Sequence, residues 1–442
     1  MTKASFHEKI IKIFKKENYS AFVKTFGCQQ NEADSERIRG FLHSLGFGFV
    51  SSPLLADLIL FNTCAVRHTA ENKILGQLGE LKNIKKINPK VLIVLCGCMV
   101  EQEDIKSLIK EKYNFVDLIC GAKSLDYFPR LLYKFLTGKE VDNYICDMPV
   151  FHESKFKSWI PIMTGCNNFC SYCIVPYVRG REKSLSYEKI LFDCKESIKN
   201  GSKILTLLGQ NVNSYKFEGV NFSRLLEEID KIDGDFTIRF MTSHPKDFNF
   251  ELVDVLSNCK HFSGHLHLPV QSGNNRILGL MNRKYTREEY IEKINYAKSK
   301  IKNLVITSDI IVGFPGETKE EFEDTVSLVK EVGFSSIFTF IYSPRRGTLA
   351  YNMLDSISHD EKVNRINHLI KVQDKISEEF LSRFVGKDLY VVVYDDDKNF
   401  SIARTNSNLM VKIKGSIGTG KKVRVKIISS TRSFLIGERI IN

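Results

Sequence analysis

The chain has 442 residues, 43% hydrophobic and 26% charged, proportions that exclude a disordered or coiled-coil protein and predict roughly three domains at about 150 residues each. No run approaches about 18 uninterrupted apolar residues, which excludes a membrane-spanning helix. The opening MTKASFHEKIIKIFKKENYS has no continuous apolar block, so it is a poor secretory signal and a cytoplasmic protein is expected. Lys and Arg number 64 against 52 Asp and Glu, a net charge of +12 that suits a polyanionic partner without naming one.

Residues 19–146 alternate between strand and helix. The apolar runs AFVKTFG (21–27), DLILFNT (57–63), KVLIVLCG (90–97) and FVDLICG (115–121) predict buried parallel strands. Helical patterns such as EADSERIRGFLHSLG and AENKILGQLGELKNIKK lie between them, which predicts a doubly wound α/β domain. Pro149 and HESKFKS separate it from residues 152–382, where alternation resumes with WIPIMTG, KILTLLG, TIRFMTS, HLHLPV, NLVITSDIIVGF and SSIFTFIYS. Thr286 with Glu289, Thr318 with Glu321 and Ser358 with Glu361 read as capping boxes. The last opens a long helix with Val363, Ile366, Leu369, Val372, Ile376 and Phe380 on one face. Six strands, each followed by a helix, predict a partial (β/α)6 barrel, whose chemistry belongs on loops at the carboxyl ends of its strands.

Residues 383–442 switch to short strands (DLYVVVYD, FSIARTN, LMVKIKG, KKVRVKII and SFLIGERI) with turn signals between them, which predicts a small β-barrel. From Leu381 onward, twelve Lys or Arg face five Asp or Glu. The basic positions Lys412, Lys414, Lys421, Lys422, Arg424 and Lys426 are candidates for an electrostatic RNA contact, or else a solvated basic face.

Eleven cysteines in a reducing compartment point to metal ligation or buried thiols rather than disulfides. Cys166, Cys170 and Cys173 follow the strand WIPIMTG on one loop. Structural zinc would require a fourth ligand, and none stands at finger-like spacing. A cubane iron–sulfur cluster held by three thiolates keeps one iron free for another ligand; zinc and inert thiols are the alternatives. Cys28, Cys64 and Cys98 each stand just past the end of a predicted parallel strand. Those ends share one edge of an open sheet, so the three are expected to converge as a second cluster site. The alternative is buried cysteines at strand ends, and Cys96 and Cys120 are rivals near the same edge. Cys146, Cys194 and Cys259 fit no pattern and are expected to pack.

Other signals gather at the predicted barrel rim: GQNVN after the second strand, Thr242-Ser243-His244-Pro245, LPVQSG at 268–273, and Asp309 ahead of IVGFPGE. Each alone reads as a turn; together they suit a polar ligand. His265 and His267 alternate within one strand and are expected to pack.

A CxxxCxxC loop after the first strand of a partial barrel resembles the radical S-adenosylmethionine (SAM) superfamily. The stretch MTGCNNFCSYCIVPYVRG (163–180) resembles its methylthiotransferases in particular, as do TFGC at 25–28, NTCAVR at 62–67, CGCM at 96–99, DIIVGFPGET and YSPRRGT. The basic tail resembles that family's TRAM RNA-binding domain, and GQNVNSY at 209–215 resembles the MiaB-type branch. Departures are Leu185 where an Arg is usual, Arg346 in place of a Pro, and Gln30 in place of a Met.

The resemblance implies two 4Fe–4S clusters. One, on Cys166, Cys170 and Cys173, binds SAM and generates a 5′-deoxyadenosyl radical. The auxiliary one, on Cys28, Cys64 and Cys98, is where sulfur is methylated before transfer. Tyr172, Gly209, Gln210, Ser243 and Gln271 are the implied SAM contacts. The implied substrate is tRNA carrying N6-isopentenyladenosine at nucleotide 37, methylthiolated at C2 of the adenine. A one-electron donor such as flavodoxin or ferredoxin is the implied partner, and a monomer is expected. The rival readings are methylthiolation of threonylcarbamoyladenosine or of a ribosomal protein and, more remotely, a non-catalytic zinc-containing RNA-binding protein.

Overall fold

A computed structural model of the chain describes residues 8–13, 19–65, 68–140 and 148–440. Val66, Arg67 and Cys146 lie outside the described residues. The chain divides into two compact units. One holds residues up to Ser154 with Thr164–Asn167 and Ile174–Glu182; the other holds Lys155–Met163, Asn168–Cys173 and everything from Lys183 onward.

The first unit is a five-stranded parallel sheet of β1 (Ser20–Thr25), β2 (Gly48–Phe49), β3 (Leu58–Thr63), β4 (Leu92–Gly97) and β5 (Leu118–Gly121), in the order β2-β1-β3-β4-β5. Four of these strands are the predicted apolar runs. The edge strand β2 has two residues, too few to carry a period. Both faces are covered, as the continuous apolar strands require. Leu58, Leu60, Val94 and Cys96 pack with Ile38 and Phe41 of the helix Gln29–Ser44 and with Phe128 and Leu132 of Phe128–Thr137. Ile59, Phe61, Ile93 and Leu95 point the other way, onto Ile74, Leu78 and Leu81 of His68–Ile87 and Ile109 of Glu103–Lys112.

The second unit carries six parallel strands in sequential order, in two blocks of three. The first block is β6 (Lys157–Pro161), β7 (Ile204–Leu208) and β8 (Thr237–Phe240). The second is β9 (His265–His267), β10 (Val305–Val312) and β11 (Ser336–Ile341). A parallel bridge between Ile238 and Phe262 leads from one block to the next. The predicted capping boxes at Thr286 and Thr318 are complete. At Ser358 only half of one forms: its hydroxyl accepts from the Glu361 amide, while the Glu361 carboxylate turns to Arg365 at 2.9 Å.

That helix, His359–Ser382, corrects the expected apolar face. Its deepest line is Lys362, Arg365, Leu369, Gln373, Ser377 and Leu381, and Ile366, Val372, Ile376 and Phe380 flank it half-buried. Polar residues go inward because partners wait there. Arg365 bonds the Glu317 carboxylate at 2.9 Å, Gln373 donates to the Phe334 carbonyl and Ser377 to the Ser335 carbonyl. Hydropathy counts a buried polar group as a cost; a hydrogen-bond partner removes most of it.

The tail closes into a barrel of β12 (Asp388–Asp396), β13 (Phe400–Thr405), β14 (Met410–Lys414), β15 (Lys422–Ser430) and β16 (Leu435–Arg439), in the order β12-β13-β14-β16-β15. Val391, Val393, Val411, Ile413, Val425 and Ile427 fill it. Bulges near Val393 and Ile427 bend the long strands enough to close it. Buried Arg239 of β8 ties it to the parallel strands, donating to Tyr394 Oη at 2.6 Å and to the carbonyls of Thr405 and Asn406.

Arg365 and Glu317 are 7% and 1% exposed in their side chains. Burial pushes the Glu317 carboxyl up, and the Gly313 amide and Arg365 pull it back. Arg365→Met strands a buried carboxylate and is expected to cost about 3–5 kcal/mol, read as a lower thermal midpoint. Glu317→Gln with Arg365→Met should recover part of that loss.

Candidate metal centres

In the first unit the carboxyl ends of β1, β3 and β4 stand in register, with Thr25 beside Asn62 and Thr63 beside Gly97. The residues that follow these ends are Cys28, Cys64 and Cys98. The Cys98 amide bonds the Thr63 carbonyl at 2.8 Å, which sets Cys98 beside Cys64. A Cβ on Gly27 would stand 2.9 Å from Cys64 Cβ, so Cys28 reaches the same point only because its neighbour has no side chain. Gly97, at φ +101°, would drive a Cβ to 2.3 Å from the Thr63 oxygen. Both glycines are required by close approach as well as by backbone angle. Cys28 also caps the helix Gln29–Ser44.

A buried polar net underlies these thiols. Asn31 is fully buried; its Nδ2 donates to Asn62 Oδ1 and the Thr63 carbonyl, and Cys28 Sγ bonds its Oδ1 at 3.2 Å. Asn62 donates in turn to the Asn31 carbonyl and Ser35 Oγ. Arg179, from the short helix Val175–Arg179, donates from Nε to Cys98 Sγ at 3.1 Å and from Nη2 to Asp34 at 2.9 Å. Burial pushes the Cys98 thiol up to about 12, with Arg179 pulling the other way. The rivals are placed differently. Cys96 and Cys120 point into the helix-covered apolar core, and burial pushes Cys120 up to about 12.

In the second unit, Cys170 and Cys173 stand on the loop after β6. The Asn282 amide donates to the carbonyls of Asn168 and Phe169, the Ser171 amide bonds the Met281 carbonyl, and Phe169 adopts a positive φ of 48°. Buried Arg283 donates to Cys170 Sγ at 3.3 Å and to the Pro269 carbonyl at 2.8 Å, with Nε on Tyr285 Oη. His244 Nε2 lies 3.9 Å from the same sulfur, and burial lowers its pKa to about 2, so the ring is neutral. Cys166, buried like Cys170, donates its amide to the Gly180 carbonyl within the first unit.

The rim segments at Gly209, Thr242 and Leu268 fall past the ends of β7, β8 and β9, as expected, whereas Asp309 lies inside β10 rather than at its end. Gly209 has no room for a side chain: a Cβ would meet Met163 Cγ at 2.4 Å. Gln210 Oε1, Thr242 Oγ and Ser243 Oγ are buried without hydrogen-bond partners, which fits a polar ligand such as SAM. Gln271 holds φ +74° while its backbone pairs with Asp309 and Ile311. Tyr172 packs against Met281 and Phe314. His265 and His267 both bond Thr307 Oγ at 2.9 Å, and Cys194 lies in the core. Among the six basic tail residues, Lys422 pairs with Asp235 and Arg424 with Asp388, Lys412 covers the Phe400 ring, and Lys414, Lys421 and Lys426 are exposed.

Asn31, Asp34, Asn62 and Arg283 were not evident from the sequence. A signal existed for the first two: the helix Gln29–Ser44 carries its large apolar residues only in its second half, so its mostly polar first turns cover the sheet. Arg283 carried none. Among the described residues no three His, Cys, Asp or Glu close on one point as ligands of a single ion; thiols around a multi-iron cluster stand farther apart.

The Radical SAM superfamily matches residues 160–329, and the family described as Uncharacterized protein family UPF0004 matches residues 20–121. The former implies a 4Fe–4S cluster and SAM. A solved radical SAM methyltransferase, TsrM from Kitasatospora setae, is 12% identical with a TM-score of 0.58, covering 76% of this chain and 77% of its own, a likeness of fold alone. Among curated relatives, the tRNA-2-methylthio-N(6)-dimethylallyladenosine synthase of Thermodesulfovibrio yellowstonii is 44% identical over 95% of this chain and 99% of its own. That of Thermoanaerobacter sp. (strain X514) is 42% identical over 98% and 96%. The chain therefore belongs to the MiaB-type methylthiotransferases of the radical SAM superfamily.

Proposed function

We propose that this protein methylthiolates C2 of N6-(dimethylallyl)adenosine at nucleotide 37 of tRNA, with Cys166, Cys170 and Cys173 holding one 4Fe–4S cluster and Cys28, Cys64 and Cys98 an auxiliary one. The observation that carries this reading is the pair of three-cysteine sets in a chain that its relatives match from end to end. When bound, the clusters and SAM would supply the radical chemistry and the sulfur needed to substitute an aromatic carbon that polar chemistry does not activate. The chain's own residues bind and orient. Arg283 supplies positive charge to the Cys170 sulfur, and Gln210 and Ser243 offer unsatisfied polar atoms to SAM. Tyr172, Gly209 and Gln271 complete that candidate pocket. The division of labour is by segment: 19–146 for the auxiliary cluster, 152–382 for radical generation and 383–442 for RNA. A one-electron donor, flavodoxin or ferredoxin in kind, completes the reaction.

A loop nucleotide beside the anticodon is single-stranded, so its base can leave the stack at little cost. Of the six candidate positions, exposed Lys414, Lys421 and Lys426 have no ion-pair or ring partner among the described residues and are the ones presented to phosphates. Changing these three to Ser should weaken tRNA binding and flatten the dependence of log K on log[salt] by about 0.7 for each phosphate no longer engaged. An unchanged slope would take the tail out of the interface.

Nucleoside mass spectrometry after an anaerobic reaction tests the chemistry. Reconstituted protein, SAM and reductant are given tRNA bearing isopentenyladenosine or threonylcarbamoyladenosine. A methylthio gain on the isopentenyl nucleoside alone is expected; a gain on the other would overturn the substrate assignment. Cys28→Ala should retain SAM cleavage and lose sulfur insertion, whereas Cys170→Ala should lose both. Product from Cys28→Ala would remove the auxiliary assignment. Arg283→Met should slow SAM cleavage and lower iron content from about eight per chain toward about four. Full iron with unchanged cleavage would leave Arg283 a packing residue.

A further inference from the structure

We propose that Arg179 is a positioning residue of the Cys28, Cys64 and Cys98 site, where its guanidinium, shared between Cys98 Sγ and Asp34, sets the reduction potential of the cluster held there. This rests on the reading that those thiols bind an iron–sulfur cluster.

The geometry is specific. Arg179 and Asp34 are 6% and 7% exposed in their side chains. One edge of the guanidinium serves Cys98 through Nε at 3.1 Å, and Nη2 serves Asp34 at 2.9 Å. A buried ion pair is weak support for stability by itself, since hydrophobes of the same volume often do as well. A donor aimed at sulfur has a different use: hydrogen bonds to ligand sulfurs and nearby charge decide where an iron–sulfur cluster is reduced. The three thiols are also treated unequally. Cys98 receives a cationic donor, while the Cys28 sulfur faces the Asn31 side-chain oxygen Oδ1. Positive charge at Cys98 favours the more negative, reduced cluster. Asp34 opposes it and holds the guanidinium in place.

Opposite consequences follow for the two partners. Arg179→Met leaves the Asp34 carboxylate uncompensated and should lower the potential. Asp34→Asn leaves Arg179 uncompensated and should raise it. Arg179→Lys keeps the charge but loses the planar two-donor fork and should fall between Arg179→Met and the parent.

The test is an anaerobic redox titration, followed by electron paramagnetic resonance, of the full-length protein with Cys166, Cys170 and Cys173 changed to Ala, so that one cluster signal remains. Shifts of opposite sign in Arg179→Met and Asp34→Asn support the assignment. Potentials that stay together, or move in the same direction, overturn it. Should Arg179→Met fail to retain its cluster, the sign of the difference between Arg179→Lys and Asp34→Asn decides in the same way. A parent that binds no iron and sulfide overturns the auxiliary-cluster reading together with this inference. A bound cluster indifferent to both partners overturns this inference alone.

Discussion

Sulfur that is to carry negative charge away from water needs positive charge beside it, because the interior solvates an isolated anion poorly. Both cysteine sets meet this need with a buried arginine. Arg179 donates to Cys98 and Arg283 to Cys170, at 3.1 and 3.3 Å. Each directs its other donors to fixed acceptors, Asp34 in one case and the Pro269 carbonyl with Tyr285 in the other. The guanidinium is the right group for this, since its planar fork divides between two acceptors without reorganising.

The placing of Cys28, Cys64 and Cys98 depends equally on a property of parallel sheets. All strands end on the same edge, so residues far apart in the chain are delivered to one line. Gly27 and Gly97 leave out side chains that would collide with Cys64 and with the Thr63 carbonyl at those strand ends. Asn31 and Asn62 tie the helix Gln29–Ser44 to the strand ends.

The small barrel is joined to the parallel strands through polar contacts: Arg239 reaches Tyr394, Thr405 and Asn406, and Lys203 reaches the Gly420 carbonyl. Its interior is apolar and its outer strand positions basic. Some of that charge is neutralised within the chain, since Lys422 and Arg424 sit in ion pairs. Lys414, Lys421 and Lys426 stay exposed on the barrel.

Periodicity and spacing in the sequence determined the strand alternation of both α/β regions, the short-strand tail, the two cysteine sets and the rim loops. These are properties of local pattern, and a run such as DLILFNT has few other fates than a buried strand. The tertiary structure alone decided which thiols pack into the apolar core and which stand at the strand ends. Cys96 and Cys98 differ by two positions, yet Cys96 points into apolar packing while Cys98 follows the strand end. It also decided that the long helix turns Arg365, Gln373 and Ser377 inward, and that Arg179 and Arg283 reach sulfur. Those outcomes depend on partners distant in sequence. Whether a buried polar side chain is a liability or a device is settled by what stands opposite it, and no local pattern records that.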